Sequence, residues 1–212
     1  MKILITGVAG FIGSNLADYL VSKDIDVIGI DDLSYGVAEQ IPSAVTFHKI
    51  DIRDHKISKL FKEVDYVFHL AAKNSLIDCE QNPEETHDIN VNGTKNIFNA
   101  SAKNNVKKVI YAESSAVYEG SSILPSIEND VLPQSVYAKS KLETNKLAKE
   151  FYKNFNLTTT GLRYFNVYGP RQDYRRTIPP VFSAFIINLL KGQRPTIYGD
   201  GSKKRDFVYV DD

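Results

Sequence analysis

Cysteine occurs once in this 212-residue chain, at Cys79, which excludes an internal disulfide framework and suits a reducing compartment. An excess of either charge is also missing. Lys plus Arg and Asp plus Glu number 26 each, so the totals point to neither nucleic acid nor an anionic membrane surface. No apolar run reaches the ~20 residues a membrane span requires. The longest toward the end, Val181 to Leu190, is broken by Ser183 and Asn188. Met1 leads directly into an apolar stretch, so no cleavable leader is expected. His48, His55, His69 and His87 lack metal-ligand spacing, so no metal is expected, and His69 reads as a satisfied structural histidine. Internal repeats and low-complexity linkers are missing too. The expectation is a soluble cytoplasmic protein, with no nucleic-acid or membrane partner, long enough to bury roughly 70% of its unfolded surface.

What is present begins at once. Lys2 to Thr6 reads as a buried strand, and Gly7, Gly10 and Gly13 follow as a turn into a helix marked by Ile12, Leu16, Tyr19 and Leu20. Gly7 permits the tight turn, Gly10 lets backbone approach a diphosphate, and Gly13 lets helix pack on strand. Phe11 and Ile12, at the helix start, add free N–H groups and the positive end of the dipole. A second strand ends in Asp31, twenty-four positions after Gly7, where a carboxylate accepts ribose hydroxyls and repels a 2′-phosphate. The spacing therefore predicts a dinucleotide site selective for NAD.

Strand-like runs recur at 2–6, 26–30, 45–50, 65–70, 107–112 and 157–163, with helical segments at 11–23, 54–62, 84–104 and 135–155. Such alternation predicts an α/β protein with a doubly wound, Rossmann-type parallel sheet of order 3-2-1-4-5-6 and a crevice at the strands' carboxyl ends. Residues 1–163 form the expected NAD-binding domain. Residues 164–212 are expected to form a small, incomplete substrate-binding lobe: a loop over 164–176, a helix opened by Pro179 and Pro180 and stopped near Gly192, and short strands at 196–198 and 206–210.

Tyr137 and Lys141 lie one helical turn apart and share a face. An ammonium beside a phenol favours the phenolate, moving a group with a reference pKa near ~10 toward useful base strength. That spacing is common in helices taken singly. Here it follows the dinucleotide motif, and Ser114 and Ser115 end the fifth strand, where a hydroxyl can donate to a substrate oxygen.

With these residues in place the chain resembles the extended short-chain dehydrogenase/reductases, and among them the NAD-dependent nucleotide-sugar epimerases of the UDP-glucose 4-epimerase kind. The resemblance rests on TGVAGFIG (6–13), DDLSYG (31–36), DIRD (51–54), HLAA (69–72), NVNGT (90–94), SSAVY (114–118), YAKSK (137–141), LRYFNVYGPR (162–171) and GDGSKKRDFVYVDD (199–212). It implies that Ser114, Tyr137 and Lys141 are catalytic, with Tyr137 and Lys141 also touching the cofactor. It implies that Asp51 and Ile52 flank the adenine, that Leu70, Ala71 and Ala72 form the cofactor's floor, and that Asn90 lies near its diphosphate. Ser115, Asn166, Arg171 and Arg205 become substrate contacts, with Arg205 gripping a diphosphate through its planar fork. Among the aromatics of this region, Tyr198 is the one candidate to lie against a nucleobase. Arg175, Arg176, Lys203 and Lys204 read as a solvated basic face.

The implied activity is 4-epimerisation of a UDP-hexose through a 4-keto intermediate. Ser115 and Ala116 stand where C4–C6 dehydratases carry an Asp-Glu pair, which counts against dehydration, and Ala116 counts against decarboxylation. Glu119 replaces a usual glycine, and Lys73 a usual neutral residue. Relatives run about a hundred residues further and carry there the position that separates plain from N-acetylated sugars. A non-catalytic NAD(H)-binding module and a nucleotide-sugar dehydrogenase or reductase with net redox turnover therefore stay open. Relatives pair through helices matching 84–104 and 135–155, so a homodimer is expected; Ile89, Ile97, Phe98, Leu142, Leu147 and Phe151 are its apolar candidates, some of which must instead face the sheet.

Overall fold

The computed structural model describes residues 1–175 and 178–212, so Arg176 of the basic segment lies outside the described residues. Two compact units divide the chain, Met1–Tyr164 and Phe165–Asp212.

The first unit holds a six-stranded parallel sheet of order β3-β2-β1-β4-β5-β6. Its strands are β1 (Lys2–Thr6), β2 (Asp26–Asp31), β3 (Thr46–Lys49), β4 (Tyr66–His69), β5 (Lys108–Ser114) and β6 (Thr159–Tyr164). Apolar runs such as Lys2–Thr6 suit strands covered on both faces. Helix α1 (Phe11–Val21) serves one face, where Ile3, Ile5, Val8, Ala17, Leu20 and Val27 form a core. Helices α4 (Thr94–Lys103) and α5 (Val136–Phe155) serve the other, where Leu4, Phe61, Ile97, Phe98, Tyr111 and Phe151 pack together.

Two expected elements take a different form, and one helix is new. The segment near 54–62 is a 3-10 helix, His55–Phe61. The helix expected over 84–104 is composite: α3 (Pro83–His87), a π-helical stretch over Asp88–Gly93, and then α4. An unexpected short helix, α2 (Leu76–Gln81), is opened by the Ser75 hydroxyl, which accepts from Asp78 N at 3.4 Å. Ile97, Phe98 and Phe151 face the core rather than an outer seam.

The second unit contains β7 (Asn166–Tyr168), α6 (Val181–Leu190) and β8 (Phe207–Tyr209). Strands β7 and β8 pair in parallel, so part of the expected loop is strand, whereas Thr196–Tyr198 is not. Tyr168 stacks on Phe182 with ring centroids 4.4 Å apart, and Phe207 and Tyr209 close around it. Among the described residues no helix is long and apolar enough to cross a membrane.

Candidate active site

The turn after β1 is built to leave space. Gly7 has φ +74°, and a Cβ there would stand 2.8 Å from the backbone nitrogen of Ala71. A Cβ on Gly13 would stand 2.1 Å from the Gly7 carbonyl oxygen, so only glycine lets α1 approach β1 this closely. No side chain caps α1, whose first amides have no intrahelical acceptor and face the mouth with the positive dipole end. Asp31 is buried at the end of β2, its carboxylate accepting from Ala9 N at 3.0 Å and Leu33 N at 2.8 Å. Burial pushes this carboxyl up, while the two amides pull it back. Each oxygen keeps a lone pair for a further donor. Cradle, uncapped helix and carboxylate fit a dinucleotide.

A buried polar network supports this floor. Thr94 Oγ1 donates to Asn90 O at 2.5 Å, which makes it the acceptor for His69 Nε2 at 2.8 Å. His69 Nδ1 then accepts from Thr6 Oγ1 at 2.7 Å, and Thr6 Oγ1 accepts from Ala71 N at 3.2 Å. Burial holds the imidazole neutral, its pKa pulled down to about 3. Asn90 sits in the π-helical stretch with its amide fully engaged. It accepts from Lys73 N at 2.8 Å and donates to Lys73 O at 2.9 Å and Ser140 Oγ at 3.0 Å. Ser140 in turn donates to Tyr137 O at 2.7 Å. Asn90 thus joins the loop after β4 to the turn of α5 that carries Tyr137. Lys73, also buried, pairs with Glu85.

Asp51 is held by Arg53, whose Nε lies 3.0 Å from both carboxylate oxygens, and this contact lowers the carboxyl's pKa. Ile52 packs in the core against Gly93.

Helix α5 packs on the end of β5 and the turn after it. Lys141 Nζ donates to Ala112 O at 2.9 Å, two residues before Ser114, and lies 5.8 Å from the Tyr137 ring centre. Burial pulls the ammonium down to about 8. Ser114 Oγ accepts from Ala116 N at 3.2 Å, which leaves its hydroxyl proton to donate elsewhere. The start of α5 is fastened from outside. Ser135 Oγ accepts from Ala138 N at 3.1 Å, and Glu119 accepts from Ser135 N at 2.9 Å and Ser135 Oγ at 2.9 Å. Glu80 accepts from Val136 N at 2.7 Å. Glu119 thereby holds the cap of the helix that carries Tyr137.

The structure brings the glycine turn, Asp31, Leu70–Ala72, Asn90, Ser114, Ser115, Tyr137 and Lys141 together within the first unit. The second unit carries Asn166, Arg171, Tyr198 and Arg205. There Asn166 Nδ2 donates to Asp206 O at 2.9 Å, Arg205 is exposed with a bond to Lys204 O, and Tyr198 is 83% exposed. Among the described residues no group of three or more His, Cys, Asp or Glu side chains could hold a metal ion.

Residues 3–212 match the family described as "NAD dependent epimerase/dehydratase family". The chain belongs to that family. Within it, the chain is 41% identical over 214 residues to a putative UDP-glucose 4-epimerase of Methanocaldococcus jannaschii, covering 99% of this chain and 70% of the relative. A UDP-N-acetylglucosamine 4-epimerase from Methanobrevibacter ruminantium M1, solved with UDP-N-acetylmuramic acid, superposes with a TM-score of 0.95 at 40% identity, over 99% of this chain and 69% of that one. A UDP-glucose 4-epimerase from Thermus thermophilus, in complex with NAD, gives 0.90 at 32%, over 99% and 71%. The chain thus spans about 70% of the length of these relatives. Family membership makes this an enzyme of the nucleotide-sugar epimerase group with NAD as its cofactor, and the cradle at Gly7 fits that group.

Sequence reasoning passed over Thr6, Thr94 and Ser140, which secure the site without facing its mouth. It also passed over Glu113. The alternation of β5 carries a signal for that residue, since Val109, Tyr111 and Glu113 share one buried face.

Proposed function

We propose that this chain interconverts UDP-hexoses that differ in configuration at C4, UDP-glucose and UDP-galactose or their N-acetyl forms. The observation that carries this reading is the placement of Tyr137 and Lys141 on one face of α5, with the ammonium bonded to β5 beside Ser114. Bound NAD supplies a reversible hydride acceptor for the sugar carbon. Its holders are the first amides of α1 (Phe11, Ile12, Gly13), the Asp31 carboxylate at the ribose, the 70–72 floor and Lys141.

The protein's own work is proton handling and orientation. Tyr137 Oη takes the proton of the sugar 4-hydroxyl as that carbon is oxidised, and returns it when the carbon is reduced. Ser114 Oγ donates to the same oxygen as it becomes a carbonyl. The Lys141 ammonium favours the Tyr137 phenolate. The 4-keto sugar turns over between the two half-reactions while its nucleotide stays held. Ser115 and Ala116 offer no extra acid or base, which favours epimerisation over dehydration.

A panel of UDP-glucose, UDP-galactose and their N-acetyl forms, followed by direct product separation, tests the reading. Interconversion without net change in NAD supports it. NADH accumulation in step with product would transfer the site to a dehydrogenase, and NAD binding with no turnover of any member would leave a nucleotide-binding module. The same proposal includes a cytoplasmic homodimer joined through α3–α4 and α5, where Tyr152 and Phe155 stand 60% and 59% exposed.

A further inference from the structure

Glu113 lies one residue before Ser114, is 4% exposed, and takes no part in the chemistry described above. A carboxylate buried on a strand face costs free energy unless it is paired and hydrogen-bonded. Here it is both. Oε1 accepts from the Tyr111 hydroxyl at 2.7 Å and from Asn145 Nδ2 at 2.7 Å, and Oε2 accepts from Arg163 Nε at 2.9 Å. Arg163 is its register partner on β6 and reaches on to Tyr118 Oη at 2.6 Å and Glu128 O at 2.7 Å. The backbone yields space for the group, since a Cβ on Gly161 would stand 2.3 Å from Glu113 Oε1.

One of these ties reaches the helix of the active site, and a second bond lies beside it. Asn145 follows Lys141 by one turn of α5, so Glu113 fastens the helix of Tyr137 and Lys141 to the strand that ends in Ser114. Lys141 Nζ bonds the carbonyl of Ala112, the residue next to Glu113. Burial pulls the Lys141 ammonium down, and the negative charge of Glu113 pushes it back up. The other titratable groups facing Lys141 are Tyr137 on its own helix, Cys79 on α2 and His69 at the end of β4. Burial keeps His69 neutral and raises the Cys79 thiol, so neither offers a charge at neutral pH.

We propose that Glu113 is a positioning residue of this active site, one that locks α5 to β5 through Asn145 and supplies the counter-charge that keeps Lys141 an ammonium. The proposal rests on Tyr137 and Lys141 as the reacting pair, but its first test does not need turnover. In full-length protein labelled with ¹³Cε-lysine, the Lys141 resonance is identified by its loss in Lys141→Met and titrated with pH. Its midpoint is expected to fall by about one unit in Glu113→Gln relative to the unaltered chain. An unchanged midpoint overturns the proposal.

Glu113→Gln can also fail to fold, because Arg163 loses its counter-charge. Glu113→Gln/Arg163→Met is then compared with Arg163→Met alone. A lower Lys141 midpoint in the double variant supports the proposal, and equal midpoints sink it. Asn145→Ala keeps the charge and removes only the tie to α5. It is expected to lower kcat about tenfold with KM and the Lys141 midpoint unchanged, and undiminished kcat contradicts the positioning role. A shifted midpoint in a chain that turns over no UDP-sugar would sink the epimerase reading and leave the lysine's counter-charge standing.

Discussion

His69 shows how much one side chain can tie together: both ring nitrogens are engaged, by Thr6 and Thr94, and the ring is 4% exposed. Its folded pKa, about 3, lies below the ordinary 6.5. Between those values the unfolded chain binds a proton that the native imidazole refuses, so stability falls as pH drops below 6.5, by about 1.4 kcal/mol per unit. Urea titrations at pH 7, 6 and 5 should show this slope reduced by that amount in His69→Gln. Identical slopes would remove the argument. Lys141 acts at the alkaline end in the same sense: between about 8 and its ordinary 10.5 the unfolded chain holds the extra proton, and stability rises with pH. At the glycines the space available sets the magnitude. Gly13→Ala places a Cβ 2.1 Å from backbone that cannot yield, whereas Gly10→Ala meets the same oxygen at 3.2 Å. We expect Gly13→Ala to cost about 3 kcal/mol by urea denaturation, with loss of NAD binding, and Gly10→Ala to cost clearly less.

At the scale of elements, the six strands and α1 were legible because apolar runs and helical spacing report burial directly. The composite helix was not. Ile97 and Phe98 keep an α pattern through α4, but the stretch before it is π-helical, and Asn90 within it and Thr94 just after it bond Lys73, Ser140 and His69, partners on other elements. Strand β7 was hidden for a similar reason, since its partner β8 lies some forty residues on and a three-residue run has no period of its own. Helix α5 was legible as a helix, but its cap was not. Glu119 and Glu80 come from separate segments to bond residues 135 and 136. We expect Ser135→Ala and Glu119→Ala each to lower stability by about 1 kcal/mol. Because they share one network, their double variant should lose less than the sum. Strict additivity in a double-mutant cycle would show that Glu119 does not act through Ser135.

For the whole molecule, the residues proposed to react lie in Met1–Tyr164, while the expected nucleotide-sugar contacts lie in Phe165–Asp212. For the first set the placement was legible, Ser114 at the end of β5 and Tyr137 and Lys141 one turn apart on α5, because strand and helix patterns fix such positions. For the second, Arg205 and Tyr198 are exposed, and sequence carried no signal for that. Assembly belongs to this scale too. Phe151 is buried in the sheet-facing core, but Tyr152 and Phe155 are exposed on α5. If α5 forms the seam of a homodimer, Tyr152→Glu should convert the dimer to a monomer in sedimentation velocity without unfolding it. An unchanged sedimentation coefficient would place the seam elsewhere.

Everything proposed about chemistry depends on the phenol of residue 137 exchanging a proton with the sugar. The most direct measurement is the rate of UDP-galactose conversion to UDP-glucose by Tyr137→Phe, with NAD binding followed in the same preparation. The account predicts turnover lowered by about 10²–10⁴-fold with NAD affinity unchanged. Turnover near that of the unaltered chain, with the cofactor still bound, would contradict it.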